Sequence, residues 1–139
     1  MPSLIADILV VDPSVAVKWF FQEPGSDRAA ELQDGDTEFI APDLVVAEIG
    51  NAAWKRFLRK QISAADAVFT VRRAPSMFSS LVSVLELMEP AMSLSVDLSH
   101  PIYDCFYLAL ARRENAPLVT ADQEMLAAAR KAKIEVRRI

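Results

Sequence analysis

The feature that most limits what this chain can fold into is an alternation. Short apolar runs trade places with longer stretches whose apolar residues recur at helical spacing. The first run, 8–11, reads as a buried strand and leads straight into Asp12-Pro13. That pair is an acid suited to capping a helix, followed by a proline suited to its first position. A helix is therefore predicted over 13–21 and another over 26–33, stopped near Gly35. A brief strand follows at 39–41. A long helix over 44–60 then carries Val45, Ile49, Ala52, Ala53 and Phe57 along one side. Ser63-Ala-Ala-Asp66 has the form of a capping box and opens a helix to about Arg73. The stretch 76–87 is ambiguous: Met77, Leu81, Leu85 and Met88 favour a helix, while the tail at 86–89 could be extended. A helix over 101–114, a strand at 118–120, a helix over 122–133 and a last strand within 134–139 complete the pattern. Strands alternating with helices define an α/β domain with a mainly parallel sheet. Such a sheet gathers strand ends and helix starts along one edge, where ligands bind.

No repeat, linker or composition break divides the 139 residues, so the chain is expected to be one domain over 1–139. At 53% hydrophobic and 24% charged it can bury a substantial core. No stretch approaches the roughly 20 apolar residues of a membrane span, and the N-terminal segment lacks the basic start of a secretory signal. With Cys105 as its only cysteine the chain forms no internal disulfide, which suits a cytoplasmic location. A single His and a single Cys exclude a His/Cys zinc site within one chain and leave little room for a Cys–His nucleophile pair. Three glycines supply no Gly-rich phosphate loop. A metal site here would rest on oxygen ligands, which favours magnesium or manganese.

Four acids stand where a parallel sheet would collect them. Asp12 ends the first strand and Asp122 follows the strand at 118–120. Asp104 lies in the first turn of the 101–114 helix, and Glu48 lies early in the 44–60 helix. Asp104 is flanked by Ile102, Tyr103, Cys105, Phe106, Tyr107, Leu108 and Ala111, with no Lys or Arg within a turn. An acid on an apolar helix side is costly unless it is paired or bound to metal. The plainer alternative is a helix-start acid satisfied by backbone N–H groups. Glu48 shares a face with Asn51, Lys55 and Arg59, which also reads as an ordinary solvated stripe. Asp12 and Asp122 also read as plain N-caps. Ser14 and Thr120 place hydroxyls beside them, as ligands to water or as turn partners.

The combination is more telling than any one acid. Two carboxylates about 4 Å apart repel by roughly 4 kcal/mol at an effective dielectric near 20. Protonation or a divalent cation relieves that repulsion. A cation so held activates water and stabilises charge on a phosphoryl oxygen, the two needs of phosphodiester hydrolysis.

The net charge of −4, from 15 basic and 19 acidic residues, counts against a nucleic-acid partner. Setting the four acids aside leaves 15 of each sign. Most basic residues close helices, where the helix dipole favours them. Lys18 and the group Lys55, Arg56, Arg59 and Lys60 are the better candidates for phosphate contacts.

The blocks VVDPSVAVKWF (10–20), VVAEIGNAAWK (45–55), IYDCFYLALA (102–111) and LVTADQEML (118–126) each carry one acid. In that order they resemble the PIN-domain family, and within it the VapC-type toxins of toxin–antitoxin pairs. The resemblance covers nearly the whole chain. It implies a three-layer α/β/α sandwich around a five-stranded, mainly parallel sheet. It also implies an endoribonuclease using Mg²⁺ or Mn²⁺, with Asp12 and Asp104 as principal metal ligands and Glu48 and Asp122 completing the acidic pocket. Asn51 and Thr120 match supporting positions. An RNA substrate, a homodimer and a small antitoxin whose C-terminal segment enters the site are implied as partners. The competing readings are a PIN-type nuclease acting in RNA processing or on DNA, and a catalytically inactive module that keeps its acidic pocket for binding. A phosphorylated receiver domain is a further competitor, but it would need adjacent acids after the first strand, where Pro13 stands.

Overall fold

The computed structural model describes residues 7–139. Five strands form one sheet: β1 (Ile8–Val11), β2 (Glu38–Pro42), β3 (Ser80–Val82), β4 (Leu118–Thr120) and β5 (Val136–Arg138). The order across the sheet is β3-β2-β1-β4-β5, and every neighbouring pair is parallel. The helices are α1 (Pro13–Ala16), α2 (Ser26–Glu31), α3 (Leu44–Leu58), α4 (Ala64–Arg73), α5 (Val84–Leu98), α6 (Ile102–Glu114) and α7 (Gln123–Lys131). From β1 the chain winds outward one way to β3, then returns to β4 and winds the other way to β5. Right-handed crossovers therefore lay α1–α4 on one face and α5–α7 on the other. The result is the α/β/α sandwich expected from the sequence.

The central strands are buried on both faces, which is why they read as continuous apolar runs rather than alternating ones. Leu9, Val10 and Val11 of β1 and Leu118 and Val119 of β4 are sealed from solvent. Helix α6 is the central helix of its layer, in contact with β1, β2 and β4 as well as α5. Every residue from Cys105 to Ala111 is buried, so its acidic first turn is delivered to the strand ends with little freedom.

Most expected elements form near their expected bounds, with three informative differences. The helices predicted over 13–21 and 26–33 each shorten, to α1 and α2, and finish as 3-10 turns (Val17–Trp19 and Leu32–Asp34). Along α3, Val45, Ile49 and Ala53 face the core, but Phe57 is exposed.

The ambiguous stretch resolves opposite to its apolar spacing. Its front is a 3-10 turn (Ala74–Met77) and the strand β3, and its tail begins α5. Phe78 and Val82 are buried there, whereas Leu85 is 78% exposed. The four-residue spacing of Met77, Leu81 and Leu85 was therefore not a helix face. Helix α5 then continues through Pro90, which has no N–H to donate. Its burial of Leu87, Ala91 and Leu94 outweighs that loss.

Candidate active site

The reversal of strand order falls between β1 and β4, the position where open parallel sheets form a ligand crevice beyond their carboxyl ends. Asp12 stands there. It is 2% exposed, caps α1, and receives a hydrogen bond from the Val15 amide. The Ser14 hydroxyl donates to its Oδ1 and the Thr120 hydroxyl to its Oδ2, both at 2.5 Å. Those hydroxyls also accept from the far strand's end: Ser14 Oγ from the Ala121 amide at 2.9 Å, and Thr120 Oγ1 from the Asp122 amide at 3.0 Å. The two hydroxyls, which the sequence offers as ligands to water or as turn partners, thus stitch the ends of β1 and β4 together around one carboxylate.

Burial raises the Asp12 carboxyl to about 6 even though Ser14, Thr120 and Val15 pull it down; the charge of Asp122 adds to the rise. Asp122 caps α7, accepting from the Glu124 amide at 3.1 Å. It is at once the N-cap that its position suggested and a near neighbour of Asp12.

Glu48 lies in the second turn of α3 and is half-buried. The Tyr107 hydroxyl of α6 donates to its Oε1 at 2.6 Å. Burial raises its carboxyl above the ordinary glutamate range, the Tyr107 hydrogen bond opposes this, and the charge of Asp104 adds to it. Tyr107 is fully buried, and burial first, then Glu48, Asp12 and Asp104, push its phenol well above its ordinary value. It therefore stays a donor. Asp104, in the first turn of α6, is held by His100 Nε2 at 2.7 Å. The partner of Asp104 is thus a histidine outside the helix rather than the Lys or Arg that its first turn lacks.

All four acids therefore stand at the carboxyl edge of the sheet, where the charge of Asp122 acts on Asp12 and that of Asp104 on Glu48. Among the described residues none is paired with Lys or Arg. The donor set is all oxygen, which suits a hard divalent cation rather than zinc. The acids do not form a closed cage: among the described residues, no three acidic, His or Cys side chains gather closely enough to grip a metal ion. Hydroxyls hold Asp12, the Tyr107 phenol holds Glu48, the His100 ring holds Asp104 and a backbone amide holds Asp122. Each acid thus has a hydrogen-bond partner of its own rather than a shared one.

Beside the acids lies a groove of about 470 Å³ between α1 and α3, lined by Ser14, Val17, Leu44, Glu48, Asn51 and Lys55 among others, with Tyr103 of α6 at its rim. Glu48, Asn51 and Lys55 of the polar stripe of α3 line this groove, while Arg59 lies outside it; Asn51, Lys55 and Arg59 are exposed. The basic candidates divide. Lys18 Nζ is bound to Glu23 at 3.0 Å and to the Pro24 carbonyl at 2.7 Å. Arg56 reaches the same Glu23 at 2.6 Å and lies over the Phe21 ring. Lys55 and Arg59 make no ion pair among the described residues.

Fold and site together describe a doubly wound α/β domain with an acidic crevice at its strand switch. The PIN domain family model matches residues 9–131 of this chain, and the chain belongs to that family. It is 27% identical over 119 residues to ribonuclease VapC3 of Pyrobaculum aerophilum, covering 84% of this chain and 91% of that protein. Among solved structures it resembles PAE2754 of the same organism, with a TM-score of 0.71 and 23% identity over 91% of this chain and 87% of that one. It also resembles VapBC2 of Rickettsia felis, solved with a DNA fragment from its promoter, with a TM-score of 0.70 and 16% identity over 95% of this chain and 98% of that one. A third is VapC20 of Mycobacterium tuberculosis, described as a sarcin–ricin loop cleaving toxin, with a TM-score of 0.67 and 17% identity over 86% of this chain and 94% of that one.

Proposed function

We propose that this chain is a metal-dependent endoribonuclease, the toxin half of a toxin–antitoxin pair, with Asp12, Glu48, Asp104 and Asp122 as its active site. The observation that carries the reading is Asp12: a carboxylate buried at the strand switch, raised to about 6, with a second acid adding to the rise and, among the described residues, no ion pair to Lys or Arg. Such perturbed groups in a crevice mark functional sites. The similarity to a ribonuclease over most of both chains supports the same class.

Mg²⁺ or Mn²⁺ would be held by Asp12 and Asp104, with Glu48 and Asp122 alongside. When bound, it would supply an activated water and offset charge on the phosphoryl oxygen. The protein's own part is orientation. Ser14 and Thr120 fix both oxygens of Asp12, and Tyr107 fixes one oxygen of Glu48. His100 restrains Asp104, and α6 anchors that acid through its buried face. Lys55 and Arg59, which make no ion pair among the described residues, would meet the RNA backbone. The homodimer and the antitoxin belong to the same proposal. Support for the antitoxin comes from solved structures of similar fold that are toxin–antitoxin complexes. No helix among the described residues is long and apolar enough to cross a membrane, and the proposed site of action is the cytoplasm, where the RNA is.

The test is cleavage of a panel of tRNA and rRNA with Mg²⁺, with Mn²⁺ and with chelator, beside Asp104→Asn. Metal-dependent cleavage lost in the variant is the expected result. A folded, antitoxin-free chain that cuts nothing would favour an inactive binding module, a reading consistent with the open spacing of the acids.

A further inference from the structure

We infer that the groove between α1 and α3 is a subsite for one unpaired nucleobase next to the scissile phosphate, with Tyr103 as its stacking platform. This rests on the ribonuclease reading above and adds to it how the substrate is gripped.

The groove touches the acids at one end, where Ser14 and Glu48 line it, and a cation at the other, where Lys55 does. Glu48 and Lys55 lie seven positions apart on α3, roughly 10 Å along the axis at 1.5 Å per residue. That is the scale of a nucleoside with its flanking phosphates, so a strand with one phosphate at the acids can bring another to Lys55. The rest of the lining is mostly apolar, including Val17, Leu44 and Ala52, with the Asn51 amide as a polar group among them. An apolar slot with a single amide suits a flat heterocycle that has a hydrogen-bonding edge.

Tyr103 supplies the remaining element. It is 64% exposed although it sits one residue from Asp104, at the head of the most deeply buried helix. Its ring buries little of its own apolar surface, and no hydrogen bond engages its hydroxyl among the described residues. An aromatic ring exposed at the rim of an apolar slot, beside a phosphodiester site, is how single-stranded RNA is commonly held: every base has a face to stack. The same surface could receive apolar side chains of a partner peptide. Lys55 in the groove and Arg59 one turn beyond it, which make no ion pair among the described residues, complement a polyanion better, and so favour RNA.

The test uses the full chain and a short single-stranded RNA that it cleaves with Mn²⁺, scanned with one abasic ribose at a time. Tyr103→Ala should raise KM about five- to a hundredfold, the range of one base stack, with kcat changed much less. Tyr103→Phe should stay near wild type. One abasic position should impose the same loss on wild type and add nothing in Tyr103→Ala. Cleavage by wild type with an unchanged KM in Tyr103→Ala, or with abasic losses that simply add to it, would overturn the subsite and leave the nuclease standing; a peptide-binding groove would give that outcome. A wild type that cuts no RNA would overturn both.

Discussion

Asp12 concentrates the site's electrostatics in one side chain. Its folded-state carboxyl, near 6, lies above the ordinary value of 3.8, so the folded protein holds that proton more tightly than the unfolded chain does. Stability from this group is therefore greatest below about pH 4 and is lost as pH rises to about 6. In chelator at pH 7.5, Asp12→Asn should be more stable than wild type by up to about 3 kcal/mol, the equivalent of a shift of roughly two units. The gain should vanish at pH 4. Denaturant unfolding at the two pH values measures it, and a variant weaker than wild type at pH 7.5 would contradict the assignment of burial as the dominant cause. Tyr107 offers a second prediction. Removing its hydroxyl leaves the buried side of Glu48 without a donor, so Tyr107→Phe should cost about 1–3 kcal/mol. That cost should shrink toward zero in a Glu48→Ala background, and equal costs in both backgrounds would show that the two side chains are not coupled. Asp12, Asp104 and Asp122 were legible from the sequence because each closes a strand or opens a helix; Glu48, in the second turn of α3, reads equally as part of a solvated stripe. Their neutral partners were less so. Tyr107 reads as one more apolar residue of α6, and its acceptor is 59 positions away. His100 stands four before Asp104, a helical spacing, but Pro101 between them places it outside the helix.

At the scale of elements, cap chemistry was the most reliable guide. Ser63 and Asp66 form the reciprocal pair their spacing implied, the Ser63 hydroxyl accepting from the Asp66 amide at 3.0 Å and the Asp66 carboxylate from the Ser63 amide at 3.1 Å. Ser63→Ala should therefore cost about 1 kcal/mol. It should leave cleavage unchanged, since α4 contributes nothing to the crevice. A thermal melt and an activity assay on one preparation check both, and a loss of activity without a loss of stability would place α4 in the site. Caps fail as guides where a strand is too short to show its period. Strand β3 spans only Ser80–Val82, at the sheet's edge, too few residues for alternation to outweigh a chance four-residue spacing. Its identity comes from pairing with β2, where Ile40, Ala41 and Pro42 meet Ser80, Leu81 and Val82. That is information about another part of the chain. Helix α5 was obscured in turn by Pro90, which local propensity counts as a break and tertiary packing tolerates.

For the whole molecule, the alternation of strands and helices implied a parallel α/β sheet, and the family resemblance implied five strands. The order β3-β2-β1-β4-β5 follows from neither alone, because local patterning does not say on which side each crossover returns. That order is what gives the acids their meaning. With β1 and β4 adjacent and the winding reversed between them, Asp12 and Asp122 stand at one crevice, and the two layers bring Glu48 and Asp104 to it from opposite faces. The overall charge of −4 then reflects, in part, acids concentrated at this crevice. The most direct test is calorimetric titration of Mn²⁺ into the metal-free chain, in buffers of different ionisation enthalpy. At pH 6 the account predicts saturable binding that releases a fraction of a proton from Asp12. The release should fade by pH 8, and binding should weaken at least tenfold in Asp12→Asn. No binding of Mn²⁺, or binding that Asp12→Asn leaves as strong as in wild type, would contradict it.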